Sequence, residues 1–153
     1  HCARDADGGE NGLLDHEIAY MRLRDEDPAH IAALSRPDAM VIPPNVEPDG
    51  KMRPANVGPV FFIEPRTGRP SMRYTARTRS IEWRDDPATA RATAALTRIL
   101  GNEPLILRAR LQPGMGVVCN NMLHDRTGFT ESADRRRLLY RARYYERISA
   151  KPL

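Results

Sequence analysis

The chain has 153 residues, 41% of them hydrophobic and 6% aromatic, with 24 basic against 20 acidic residues and a net charge of +4. That length predicts a single domain over residues 1–153 with enough chain for a core, and 13 prolines with 10 glycines favour turns over long helices. No run approaches the roughly 20 apolar residues of a membrane span, no signal peptide is visible, and a basic set whose only lysines are Lys51 and Lys151 argues against a nucleic-acid-tracking surface.

Cys2 and Cys119 lie far apart and show no metal spacing, which predicts a reduced, cytoplasmic protein. The chain opens on His1-Cys2 inside an expected element, so it is expected to be a piece of a longer protein. His1 to Asp15 predicts a strand, a Gly8-Gly9 turn and a second short strand. Asp15 is placed to cap a helix over His16 to Arg24, with Glu17 in its first turn. Asp27-Pro28 restarts a second helix with Ile31 and Leu34 as its apolar stripe, stopped by Pro37. A short strand covers Ala39 to Ile42. Pro43 to Pro59 predicts a long loop, either a lid over a site or a disordered stretch.

Val60 to Glu64 and Ser71 to Ala76 flank Pro65-Arg66-Thr67-Gly68 and predict a hairpin. In its second strand Arg73, Thr75, Arg77 and Arg79 share a face, as cavity lining or as a solvated edge. Asp86-Pro87 begins a helix with Ala90, Ala94, Leu96, Ile99 and Leu100 in helical period, ended by Gly101-Asn102. Leu105 to Leu111 leads into the stretch that carries the chemistry, Leu111 to Tyr145. There Gln112-Pro113-Gly114 starts a turn, Met115 to Asn121 predicts an apolar strand with Cys119 as a small core residue, and a strand dense in arginine follows Asp134. By alternation Arg135, Arg137, Leu139, Arg141 and Arg143 share one face, and Arg136, Leu138, Tyr140, Ala142 and Tyr144 the other. A row of guanidiniums facing an interior needs anionic partners, and a histidine ahead of it suggests a metal ligand beside a carboxylate site.

Pro113-Gly114, Asn121, His124, Arg126-Thr127, and Arg136-Arg137 with Arg141 resemble the C-terminal end of the taurine dioxygenase-like (TauD/TfdA) family of Fe(II)/2-oxoglutarate-dependent oxygenases. His1-Cys2 with Gly8-Gly9-Glu10 resembles its gamma-butyrobetaine hydroxylase-like branch. The resemblance implies a mainly β fold with peripheral helices, a double-stranded β-helix or jelly roll, of which residues 1–153 form the C-terminal part. It implies His124 as distal iron ligand, Arg137 as partner of the far carboxylate of 2-oxoglutarate, and Arg141 near the substrate or the cosubstrate's other end. Fe(II) and 2-oxoglutarate are the implied cofactor and cosubstrate, and the implied reaction is hydroxylation of a small molecule with release of succinate and CO2. The family's His-x-Asp pair has no match here, since none of His1, His16, His30 and His124 is followed at that spacing by aspartate. It is expected upstream of His1, and the residues given are expected to be inactive alone.

Two histidines and a carboxylate on one metal face suit Fe(II), and the planar fork of arginine suits a carboxylate. A lone histidine after an apolar strand is commonly structural; the family spacing of Asn121, Arg126-Thr127, Arg137 and Arg141 assigns His124 to the metal instead. His1, His16 and His30 read as structural, and Arg135 and Arg143 as surface or salt-bridged. The expected partner is a polar or anionic small-molecule substrate, with no nucleic acid and no membrane, and a homo-oligomer left open. The alternative is a non-catalytic jelly-roll protein that binds a small anion without iron. A third reading, nucleic-acid binding through the arginine strand, would show steep salt dependence.

Overall fold

Local capping signals set the three helices. In the computed structural model, which describes residues 1–46, 49–76, 81–144 and 146–148, α1 spans His16–Glu26, α2 spans Pro28–Leu34 and α3 spans Pro87–Asn102. Asp27 sits in extended backbone and accepts from the Ala29 N–H at 2.9 Å, with Pro28 in the first turn where its missing N–H costs nothing. Asp86 does the same for α3, accepting from the Ala88 and Thr89 N–H groups, both at 2.9 Å, ahead of Pro87. The Thr89 backbone bond, then the Thr89 hydroxyl, hold the Asp86 carboxyl below its usual range. The buried face of α3 is Thr89, Ala92, Ala95, Leu96 and Ile99. Ala90 and Ala94, expected on that face, are exposed. Alanine is apolar on any face of a helix, so its spacing did not fix the stripe.

The chain parts into two compact units, His16–Pro104 on one side and His1–Asp15 with Leu105–Leu153 on the other. Strand outweighs helix, in small antiparallel sheets of two or three strands. No helix among the described residues is long and apolar enough to cross a membrane.

In the His16–Pro104 unit the helices bury Ala19, Leu23, Ala33, Leu34, Leu96 and Ile99. His16 and His30 are buried as structural side chains, His16 with Nε2 3.2 Å from Pro70 O and His30 3.6 Å from Glu26. The expected hairpin forms as Phe61–Glu64 against Arg69–Met72, with Gly68 at φ 65° in the turn. The expected loop from Pro43 to Pro59 is corrected. Asn45–Val46 pairs with Met52–Arg53, and Asn56–Gly58 pairs with Met40–Ile42, which pairs on its other side with Glu82–Trp83. A partner strand on Met40–Ile42 gives this Pro- and Gly-rich stretch backbone bonds that its composition does not advertise.

Arg73 is neither cavity lining nor a solvated residue. Its guanidinium donates to Met40 O and Gly58 O at 2.7 Å, Asn56 O at 3.0 Å, Pro59 O at 3.3 Å, and Asn56 Oδ1. Burial pushes its pKa down from the usual arginine value. Arg77 and Arg79, expected on the same face, lie outside the described residues. One cation thus serves carbonyls on two neighbouring strands. Arg73→Met is expected to destabilise the protein by about 2–4 kcal/mol, because several part-buried acceptors lose their donor together. Arg73→Lys recovers only part of this, having no planar fork. Urea midpoints of the three proteins measure it, and a Met variant as stable as the parent would remove the clamp.

Candidate functional site

The residues singled out by sequence lie in the His1–Asp15 and Leu105–Leu153 unit. Its centre is the strand Asn11–Leu14, flanked by Leu107–Ala109 and by Leu123–Arg126, both antiparallel. His124 pairs with Leu13, and Arg126 with Asn11. Gly12 donates its N–H to Asp125 Oδ1 at 3.0 Å, and a Cβ at Gly12 would lie 2.3 Å from that oxygen, so a side chain there would push the carboxylate off this bond. Thr127 is tied to the same segment: Thr127 N–H donates to Glu10 O, and Glu10 N–H to Thr127 Oγ1, each at 2.9 Å.

Two further pairings bring in the rest. Cys2–Arg4 pairs with Leu138–Leu139, extended by reciprocal 2.9 Å bonds between His1 and Tyr140. Asp7–Gly8 pairs with Phe129–Thr130. The first 15 residues thus hold three short strands where two were expected, with Gly8 of the expected turn inside Asp7–Gly8, and all three pair with distant partners, not with each other.

Two expected strands are corrected. Met115 to Asn121 is not a strand and is largely exposed, with Val118 80% exposed and Cys119 exposed, not in the core. Its pinned end is Gly114-Met115, where Gly114 N–H donates to Cys2 O and Cys2 N–H to Met115 O. No strand among the described residues runs beside 116–121, so the apolar pattern finds no sheet to join. The arginine strand shrinks to Leu138–Leu139. Ser132 and Arg135 exchange backbone bonds in a turn, and the Arg137 N–H goes to Glu131 Oε1 at 2.8 Å, which removes them from a ladder.

His124 is exposed, with Nδ1 2.9 Å from Met122 O and Nε2 3.5 Å from Arg141 Nη2. A carbonyl only accepts and a guanidinium only donates. With its proton on Nδ1, the ring donates to Met122 O and turns Nε2 toward the Arg141 guanidinium, so a backbone carbonyl orients the imidazole. Asn121, at φ 55°, turns the chain just ahead of Met122. This left-handed conformation suits Gly and Asn and strains a β-branched residue. Asn121→Gly is expected to be near neutral, and Asn121→Val to cost about 1–3 kcal/mol, read as a fall in the thermal midpoint for valine alone. Equal midpoints would show that the turn carries no strain.

Arg137 and Arg126 converge on one ring. Their Cζ atoms lie 5.1 Å and 4.4 Å from the centroid of Phe129. Gly9 lies beside them at φ 71°, a left-handed backbone that favours glycine, while a Cβ there would meet Phe129 Cβ at 3.4 Å and Arg137 Nε at 3.5 Å in ordinary contact. Among the described residues neither guanidinium is in a salt bridge, so both remain open to an anion. Phe129 was missed from sequence, where no alternation singles it out. Arg135 is salt-bridged, to Asp5 at 2.8 Å and Asp7 at 2.6 Å, with Arg110 2.9 Å from Asp5. The Arg135 hydrogen bond, then that of Arg110, hold the Asp5 carboxyl below its usual range. Those carboxylates are thereby committed to arginines rather than to a metal.

Among the described residues no three His, Cys, Asp or Glu side chains form a group that could hold a metal ion. His124 could supply one donor nitrogen, and that nitrogen faces Arg141. The structure thus brings Arg141 to His124 and sets Arg137 with Arg126 about Phe129. No curated protein matches the chain. The family model described as Taurine catabolism dioxygenase TauD, TfdA family matches residues 1–143. Carrying that match over nearly its whole length, the chain belongs to the TauD/TfdA dioxygenase family.

Proposed function

We propose that this chain is part of an Fe(II)- and 2-oxoglutarate-dependent oxygenase of jelly-roll fold that hydroxylates a polar or anionic small molecule and releases succinate and CO2. The family match over residues 1–143 carries this reading, and the orientation of the His124 ring by Met122 O supports it. Iron, when bound, would supply dioxygen activation, with 2-oxoglutarate as reductant. This chain's own residues take simpler roles. His124 offers one neutral donor, oriented by Met122 O. Arg137, held against Phe129, offers a two-pronged cation for the far carboxylate of 2-oxoglutarate. Arg141 serves the substrate. The test is conversion of 2-oxoglutarate to succinate by the full protein with Fe(II) and oxygen, across a panel of small carboxylates and amines. Iron-independent binding of an anion with no turnover on any of them would favour the non-catalytic alternative.

A further inference from the structure

The loop from Gly128 to Arg137 lies on one short stretch of chain, Asp5 to Gly9, and is fixed to it at three points. Gly9 N–H donates to Gly128 O at 2.8 Å, and Phe129–Thr130 pairs with Asp7–Gly8. The third point is the Arg135 guanidinium, which bridges Asp5 Oδ2 at 2.8 Å and Asp7 Oδ1 at 2.6 Å. The first two points place the Phe129 ring. The third lies two residues ahead of Arg137, whose guanidinium returns to that ring at 5.1 Å. Asp5 is the firmer side of the bridge. Its side chain is 18% exposed against 74% for Asp7, so its ion pairs are less screened by solvent, and it also takes Arg110 Nη2 at 2.9 Å. The buried Ala6 roots the stretch that carries both acids.

We propose that Asp5, acting through Arg135, is a positioning residue for Arg137, tying the end of the loop to the same stretch that holds Phe129. The inference rests on the proposed role of Arg137 in binding the far carboxylate of 2-oxoglutarate and adds what sets that affinity. A loop tied at both ends loses less freedom when a ligand arrives, and the difference appears as affinity. The two acids also sort the arginines. Arg135 carries the same charge as Arg137 and stands two residues from it, but its donors are spent on Asp5 and Asp7. The ligand's carboxylate is left to Arg137.

The experiment titrates the full protein with 2-oxoglutarate under anaerobic Fe(II). The proteins are the parent, Asp5→Asn, Arg135→Met, their double variant, Arg135→Lys, Arg110→Met and Arg137→Ala. Asp5→Asn and Arg135→Met change the net charge in opposite directions, so a through-space effect on an anion would tighten one and weaken the other. Positioning weakens both, each by roughly tenfold, within the range for residues coupled in one ion-pair network. The double variant should then be no weaker than either single one. Arg110→Met removes the same charge from the same carboxylate but leaves the loop tied, so it should stay near the parent. Arg135→Lys keeps the charge without the two-pronged bridge and should recover part of the affinity. Turnover of Asp5→Asn at saturating 2-oxoglutarate should match the parent, because only binding depends on the tie. Opposite shifts in Asp5→Asn and Arg135→Met, additive losses in the double variant, or parental affinity in Asp5→Asn would each overturn the positioning role. So would a loss in Arg110→Met as large as that in Arg135→Met, or an Asp5→Asn turnover that stays low at saturation. Parental affinity in Arg137→Ala is a different failure, because it removes the anion-binding role of Arg137 itself.

Discussion

His124→Ala is expected to abolish succinate formation from 2-oxoglutarate while leaving the fold intact. The side chain is exposed, and its polar contacts are Met122 O and Arg141. Surface changes of this kind usually shift stability by no more than about 0.5 kcal/mol. A thermal midpoint close to the parent, with turnover at background, would therefore assign the loss to the site. Excess Fe(II) should not restore activity, because the buried His16 and His30 cannot replace it. His16 and His30 are buried with Pro70 O and Glu26, in the His16–Pro104 unit. Turnover that survives the substitution would remove His124 from the centre.

Arg137→Ala is expected to weaken 2-oxoglutarate binding by roughly 30-fold or more. Truncating one partner of a closed, charge-assisted pair costs about 2–5 kcal/mol, and each 1.4 kcal/mol is a factor of about ten. The half-buried guanidinium is held by the Phe129 ring at 5.1 Å, and its backbone N–H is bonded to Glu131. Part of its orientation is thus set before any ligand arrives. Arg137→Lys should recover only part of the affinity, since an ammonium can sit over the ring but cannot grip a carboxylate with two prongs. Titration with 2-oxoglutarate under anaerobic Fe(II) measures all three proteins. Unchanged affinity in Arg137→Ala would sink the assignment, and Arg126, over the same ring at 4.4 Å, would be the next arginine to test.

The family was legible because short motifs recorded it. Asn121, His124, Arg126-Thr127, Arg137 and Arg141 stand at spacings that resemble the family, and residues 1–143 match it. Strand alternation placed Arg137 and Arg141 on one face of a long strand, a geometry the structure does not keep. The ladder there covers only Leu138–Leu139, and Arg141 meets His124 from a segment without regular structure. Alternation presumes a partner along the whole run, and the turn at Ser132–Arg135 withdraws it.

The sequence by itself determined what depends on neighbours a few residues away. Asp27-Pro28 and Asp86-Pro87 start helices because a carboxylate can reach N–H groups two or three residues on, and Pro65 to Gly68 turns because Gly68 tolerates φ 65°. Tertiary structure decided everything that depends on partners far along the chain. Asn11–Leu14 takes neighbours about a hundred residues away, Arg73 finds carbonyls on two other strands, and Phe129 gathers two arginines. It also left Cys119 exposed, although an apolar run surrounds it. A period-two pattern states which face a side chain would take if a strand forms. It does not say which strand will lie beside it, because that choice is made by backbone hydrogen bonds that carry no side-chain signature.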